Sequence, residues 1–306
     1  MRAAVVGAGI AGTACARALV AGGWAVTVLD RGRAVGGRMS SRRLAGRPVD
    51  LGASYLTASD PAFQAVVDDW VRRGLARPWT DTFHTAGPEG LGEVKTGPVR
   101  YGAAGGLRSL VEDLAGGLDV VVREVGHVGP GPVVDGQAYD AVVLAVPDPQ
   151  ALRLLDPSLS AARAAVEGRA WEPVLALAAG FPGRSWPFDG CFVHDSPLSW
   201  VADDGRRRGD EAPVLVAHST PAAAAAHLDD PAAATPVLTA ALRELFDLPE
   251  PVWTHLQRWS YAKPVGSRDE PYGLHDGVGL CGDGWGASKV QAAWLSGDAL
   301  GRALAS

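Results

Sequence analysis

Gly7, Gly9 and Gly12 follow a short apolar run, Ala3 to Val6, and lead into an alanine-rich stretch of helical character. In that setting each glycine has a mechanical task. The first lets a strand turn sharply, the second lets the backbone approach a pyrophosphate, and the third lets the helix pack close to the strand, with the helix N-terminus aimed at the anion. A second apolar run, Val26 to Leu29, ends in Asp30, 23 residues after Gly7, where a carboxylate can accept hydrogen bonds from ribose hydroxyls. Strand, glycine loop, helix, strand and acid together describe a dinucleotide site.

Gly36, Gly37, Arg38 and Met39 come directly after the second strand, and a glycine pair with an arginine there suits a further close contact to the pyrophosphate. This stretch resembles the GGR of glutathione-reductase-type FAD proteins of the amine-oxidase group, which simple NAD dehydrogenases lack. At the far end of the chain, Gly279 to Asp283 reads as a strand closing on Gly-Asp. Ser288 is placed to cap the helix beyond it, whose apolar positions Val290, Ala293, Trp294, Gly297 and Leu300 keep helical spacing. A carboxylate at such a strand end can bind ribityl hydroxyls, and the helix N-terminus can offset negative charge on a reduced flavin ring.

These residues need elements to hold them. The chain has 306 residues, enough for two modest domains sharing one ligand crevice. With 47% hydrophobic and 20% charged residues it can bury a core and is not disordered. A net charge of −6 argues against a general nucleic-acid or membrane-surface binder, since those need a basic face. Arg206, Arg207 and Arg208 sit among Asp203, Asp204, Asp210 and Glu211 and read as a solvated loop. No apolar run is long enough to span a membrane, and the N-terminal run, broken by the glycine loop, does not read as a secretion signal. Cys15, Cys191 and Cys281 are widely separated and form no CxxC pair. That argues against a disulfide framework, a zinc site or a disulfide reductase, and fits a reducing cytoplasm. The histidines are scattered without metal spacing, so no metal is assigned, and His194 and Asp195, if on a strand, would face opposite ways.

Along the chain, Val49 to Tyr55 is another apolar run, and Asp60 is a plausible cap for a helix from Pro61 to Gly74 carrying Phe63, Val66, Val67, Trp70 and Val71. Trp79 to Arg100 suggests hairpins, Leu107 to Leu114 an amphipathic helix, and Leu118 to Val122 a strand. The continuous apolar run before Pro147 suits a central parallel strand. From Gln150 to about Arg268, strand-like runs (Val174 to Ala178, Val214 to Ala217, Val252 to Trp259) alternate with a helix from Pro236 to Phe246 capped by Thr235, and Pro221 to Ala226 reads as a surface helix. The expected fold is α/β: a Rossmann-type FAD-binding domain with an inserted α+β substrate domain on a mainly antiparallel sheet. The nucleotide domain is assigned to 1–56, 97–149 and 270–306, and the substrate domain to 57–96 and 150–269.

Taken together, GAGIAG (Gly7 to Gly12), VGGRMSSRR (Val35 to Arg43), DLGASYLT (Asp50 to Thr57), CFVHDSPLSW (Cys191 to Trp200), RWSYAKP (Arg258 to Pro264) and CGDGWGASKVQAAWLSG (Cys281 to Gly297) resemble the renalase family, and its bacterial members in particular. One departure is Gly284, which separates Asp283 from Trp285 where some members have the tryptophan directly after the acid. The resemblance implies non-covalent FAD held by Gly7, Gly9, Ile10, Ala11, Gly12, Asp30, Arg31, Gly37, Arg38, Met39, Ser54, Val122, Ala145, Gly282, Asp283, Val290, Gln291 and Ala292. It further implies an oxidase of dihydropyridine nucleotides reduced at ring position 2 or 6. Hydride passes to flavin N5 and the electrons to dioxygen, giving NAD(P)+ and hydrogen peroxide. Such chemistry asks the protein for stacking, orientation and water exclusion and needs no acid/base pair. Tyr55, Trp285 and Lys263 are the pocket candidates, with Ser196, Trp200 and Tyr261 behind them. A flavin amine oxidase or desaturase acting on another small molecule, a non-redox flavin isomerase and a nucleotide-binding sensor remain open alternatives.

Overall fold

Ala3–Val6 and Ala141–Leu144 are buried at every position, which a sheet tolerates only when both of its faces are covered. The structure, a computed structural model describing all 306 residues, shows that cover in full. The chain runs β1 (Arg2–Val6), α1 (Ile10–Ala21), β2 (Ala25–Asp30), the hairpin β3 (Ser41–Leu44) and β4 (Arg47–Asp50), and α2 (Pro61–Arg72). It continues with β5 (Arg77–Gly87), β6 (Gly90–Gly102), α3 (Leu107–Ala115), β7 (Asp119–Val122), the short strands β8 (Val128–Gly129), β9 (Val133–Val134) and β10 (Gln137–Ala138), and β11 (Ala141–Leu144). Then come α4 (Asp148–Leu154), α5 (Ser160–Val166), β12 (Trp171–Gly180), β13 (Gly190–Val193), β14 (Leu198–Asp203), α6 (Asp204–Arg208) and β15 (Val214–Ser219). The last elements are α7 (Pro221–Ala225), α8 (Ala234–Phe246), β16 (Trp253–Pro264), β17 (Gly273–His275), β18 (Val278–Leu280) and α9 (Val290–Ala305).

The first sheet has the order β17-β18-β11-β1-β2-β7 and is parallel except for β17 at its edge. Its strands alternate between two cores with the period of two that a pleat imposes. Ala3, Val5, Val26, Val28 and Val143 meet residues of α1, α2, α3 and α9, while Ala4, Val6, Leu29, Val142 and Leu144 meet those of α4 and α5. Helices α1 and α9 cross at near-backbone contact, because a Cβ on Gly297 would collide with the Ala11 carbonyl oxygen.

The second sheet, β16-β12-β15-β14-β13-β5-β6, is antiparallel throughout except between β13 and β5. One face, with Leu175, Leu177, Val201, Leu215 and Ala217, packs on Leu238 and Leu242 of α8. The other face looks toward the first sheet. This is the α/β architecture with an inserted, mainly antiparallel sheet. No helix is long and apolar enough to cross a membrane.

Several local expectations change. The boundary at 97 falls inside β6, which stays in the second sheet to Gly102, and the boundaries at 57 and 150 give way because α2, α4 and α5 pack on the first sheet. Asp60 caps α2 by accepting from the Ala62 and Phe63 amides. Thr235 does not cap α8, because the turn Pro231–Ala233 runs straight into it, and Ser288 does not cap α9, whose N-cap is Lys289. His194 and Asp195 lie beyond β13 in a turn, where Asp195 has φ +54°. The arginines read as a solvated loop are the largest correction: Arg207 is 0% and Arg208 3% exposed. Asp204 pairs with Arg47 at 2.6 Å, Arg208 at 3.1 Å and Arg207, and Asp50 with Arg208 at 2.9 Å. A run carrying both signs can neutralise itself inside the protein.

Gly297→Ala is expected to cost about 1–3 kcal/mol by overpacking the α1–α9 crossing, read as a lowered urea midpoint at unchanged m-value.

Candidate active site

A cavity of about 1340 Å³ runs between the two sheets, larger than the roughly 300–1,000 Å³ of drug-sized sites. One end lies over the carboxyl ends of β1, β2 and β11. There Gly7, Gly9, Ile10 and Ala11 line the wall, and a Cβ on Gly12 would collide with the Gly7 carbonyl oxygen. No side chain caps α1 and no acid sits in its first turn, so its leading amides are free to face an anion. Gly37 lies across from Gly9, its would-be Cβ 3.3 Å from the Gly9 Cα, so two side-chain-free loops face one another over the cavity. Asp30 at the end of β2 accepts from the Ala8 amide at 2.6 Å and the Gly32 amide at 2.7 Å, leaving further lone pairs for a ribose.

In the middle of the cavity, Arg38 makes a two-point ion pair with Asp283, with Nη1 2.7 Å from Oδ2, and the same Nη1 donates to the Ala262 carbonyl of β16 at 3.0 Å. Beyond it the one-turn helix Asp283–Trp285 is held from outside. Arg169 and Arg268 both donate to the Gly284 carbonyl, Arg268 also pairs with Asp148 at 3.1 Å, and its guanidinium lies 4.3 Å from the Trp285 ring centroid.

The inner face of the second sheet forms the far wall. Gln257, Ala176, His218, Trp200 and Phe192 are successive partners across β16, β12, β15, β14 and β13, so they stand in one row. All but Ala176, the smallest of them, line the cavity. Tyr55 leans on this row, 5.8 Å from Trp200 and 5.3 Å from Phe83. Burial raises its phenol pKa, only partly opposed by Arg100, so it is a neutral wall. His218 is pushed down to about 3 by burial, then by Lys263 and Arg207, and is a neutral imidazole at physiological pH. Cys281 is held as a thiol by its hydrogen bond with Cys15 and by burial.

Residues 72–299 match the flavin containing amine oxidoreductase family, and residues 5–70 match an NAD(P)-binding Rossmann-like domain. The chain belongs to the flavin containing amine oxidoreductase family. It is 32% identical over 126 residues to the putrescine oxidase of Kocuria rosea, a stretch covering 41% of this chain and 26% of that enzyme. Its fold is shared with a putrescine oxidase bound to putrescine (TM-score 0.75, 15% identity, 100% of this chain and 98% of that one). It is shared equally with the cyclohexylamine oxidase of Brevibacterium oxydans (TM-score 0.78, 13% identity, 99% and 98%).

As a member of this family the protein is an FAD-dependent oxidoreductase. The residues fit that cofactor: the facing glycine loops, the uncapped α1 and the carboxylate of Asp30 suit its nucleotide end, and the uncapped N-terminus of α9, where Lys289 and Val290 line the cavity, suits the other. Of the residues expected to hold it, Arg31, Met39, Ser54, Ala145 and Gly282 also line the cavity. Four do not. Gly12 is the packing glycine behind the loop, and Ala292 lies behind Gly286. Val122 is 60% exposed on the edge strand, and Gln291 accepts from the Ser59 amide at 2.6 Å. Tyr55, Trp285, Lys263, Trp200 and Tyr261 line the cavity, whereas the Ser196 hydroxyl turns away to accept from the Leu198 amide. The sequence reading missed Arg108, Trp171, His218, Gln257 and Trp259. Only the alternation Gln257, Trp259, Tyr261, Lys263 along one strand announced any of them.

Arg38→Gln leaves Asp283 uncompensated. Because Arg38 is 30% exposed, the full buried-pair penalty is reduced to about 2 kcal/mol, or roughly 30-fold weaker FAD binding in a flavin-release titration. His218 has a lower pKa folded than unfolded, so the folded state binds fewer protons between pH ~6.5 and about 3, and stability falls as pH drops through that window. His218→Gln is expected to flatten the decline of Tm over that range in acid-melt experiments.

Proposed function

We propose that this flavoenzyme oxidises dihydropyridine nucleotides reduced at ring position 2 or 6, returning NAD(P)+. In balance, one dihydropyridine, one proton and one dioxygen give one pyridinium and one hydrogen peroxide. When bound, FAD supplies hydride acceptance and the return of two electrons to oxygen. The chain's own residues bind the flat ring against the aromatic row, orient it and keep water out.

The observation that carries this reading is the charge of the substrate wall. Of the residues that the second sheet gives to the cavity, Lys263 brings a cation, His218 is neutral, and none is a carboxylate. Arg258, one position out of step with Gln257, sends its guanidinium to the opposite face, where it donates to the Leu228 carbonyl at 2.8 Å. Arg153 of α4 adds a second cation, bonded to the Tyr261 hydroxyl at 3.0 Å. The cavity's carboxylates lie elsewhere: Asp30 and Glu124 at the nucleotide end, Asp148 paired with Arg268, and Asp283 paired with Arg38. An alkylammonium would meet like charge here, whereas a dinucleotide brings an aromatic ring and a diphosphate. Similarity to oxidases named for putrescine and cyclohexylamine supports the second reading, an amine oxidase acting on another small molecule. The free cysteines, all buried, suit a cytoplasmic enzyme.

Anaerobic mixing of the yellow holoprotein with borohydride-reduced NAD+, which contains the isomers, is expected to bleach the flavin rapidly, while ordinary NADH does not. Bleaching by amines alone, or by neither, refutes the proposal. Lys263→Met is expected to raise KM for the isomers several-fold and to weaken its dependence on ionic strength.

A further inference from the structure

The arginine-rich helix α6 lies outside the cavity, yet its buried guanidinium reaches the backbone that carries the cavity's aromatic wall. We infer that Arg207 is a positioning residue for flavin-dependent oxidation, setting Tyr55 and Trp200 through Ser54. Arg207 Nη1 donates to the Ser54 carbonyl at 2.7 Å, and Nη2 points at the Asp50 carbonyl at 3.4 Å. One planar group thereby spans both ends of the stretch Asp50–Ser54, immediately before Tyr55. The Ser54 hydroxyl in turn accepts from the Trp200 indole at 2.9 Å. Trp200 packs on Tyr55 and also on Phe192, at 4.9 Å between ring centroids. The links form one line: guanidinium to Ser54 backbone, Ser54 side chain to Trp200 ring, Ser54 chain neighbour to Tyr55 ring.

Arg207 is itself fixed. A Cβ on Gly102 of β6 would stand 2.5 Å from the Arg207 carbonyl oxygen and 2.8 Å from its Cγ, so the side chain is clamped beneath a strand that has no side chain of its own there. Asp204 pairs with the guanidinium, and Asp50 lies 3.9 Å from its Nε. Arg47 belongs to the same cluster but reaches only Asp204 and Asp210. It is the control for disturbance of the cluster that leaves the Ser54 carbonyl untouched. Lysine at 207 keeps the charge but, with one ammonium instead of a two-armed plane, cannot span both carbonyls.

The test uses holoprotein labelled with 5-fluorotryptophan, with the Trp200 fluorine resonance assigned by its loss in Trp200→Phe. Arg207→Lys and Ser54→Ala are expected to shift or broaden that resonance, while Arg47→Lys leaves it in place even where it lowers Tm as much. With borohydride-reduced NAD+ as substrate, Arg207→Lys is expected to raise KM about tenfold with a smaller change in kcat, as a displaced binding wall should. An unmoved Trp200 resonance in Arg207→Lys overturns the inference, and so does an equal shift in Arg47→Lys. Should Arg207→Lys not accumulate, Arg207→Gln is read in its place, and failure of both to fold assigns Arg207 to folding alone. The fluorine readout needs no substrate, so failure of the dihydropyridine proposal leaves it standing and is told apart from it.

Discussion

One guanidinium joins the three parts of this chain that must meet. Arg38 stands on the one-turn helix Gly37–Met39 after the second strand, holds Asp283, 245 residues further on, and donates to the carbonyl of Ala262 on the edge strand of the second sheet. Its plane also lies 5.2 Å from the Trp171 ring centroid. A lysine could offer charge but not two parallel donors to one carboxylate together with a third bond and a ring face. The glycine pair before Arg38 therefore does two things: it brings backbone close to Gly9, and it aims a side chain at the far end of the sequence.

Around that link the two sheets divide the work by chemistry. The first sheet offers backbone: free amides at α1, glycines without side chains, a carboxylate at a strand end. These suit a ligand whose groups recur in every dinucleotide. The second sheet offers side chains in register, and its pleat sends one set to α8 and the other to the cavity. Backbone recognition tolerates little change of fold, whereas a row of side chains can be altered residue by residue. Shared architecture at 13–15% identity is what such a division permits.

How much of this was legible in sequence follows the same division. Gly7, Gly9, Gly12, Asp30 and the Arg38 and Asp283 positions could be read because their roles depend on local backbone, on neighbours within a turn or a strand. The partnership between Arg38 and Asp283 could not, since each was assigned to the ligand and no local rule links residues so far apart. His218 and Gln257 were invisible because cross-strand register, not spacing along the chain, puts them beside Trp200. Arg207 was misread outright. Locally, arginines among aspartates look like solvent-exposed charge, and only the approach of Asp50 from β4 and of the bare strand at Gly102 turns that segment into an interior cluster.

That cluster also shows why net charge and local charge answer different questions. A value of −6 for the chain argues against a basic outer face, and nothing in the fold opposes that. Yet on the second sheet's side of the cavity the charge has the other sign, because Asp148 and Asp283 are paired with arginines while Lys263 and Arg153 line it without an ion-pair partner. Lys263 and Arg153 are themselves exposed, so their field acts locally on the wall they line and is screened by salt. The field then acts on His218, whose neutral ring is kept so partly by Lys263, and on any ligand that enters. On the proposed reading, a positively charged amine meets like charge on its way to the aromatic row. A ring carrying its own phosphates arrives with the counter-charge attached.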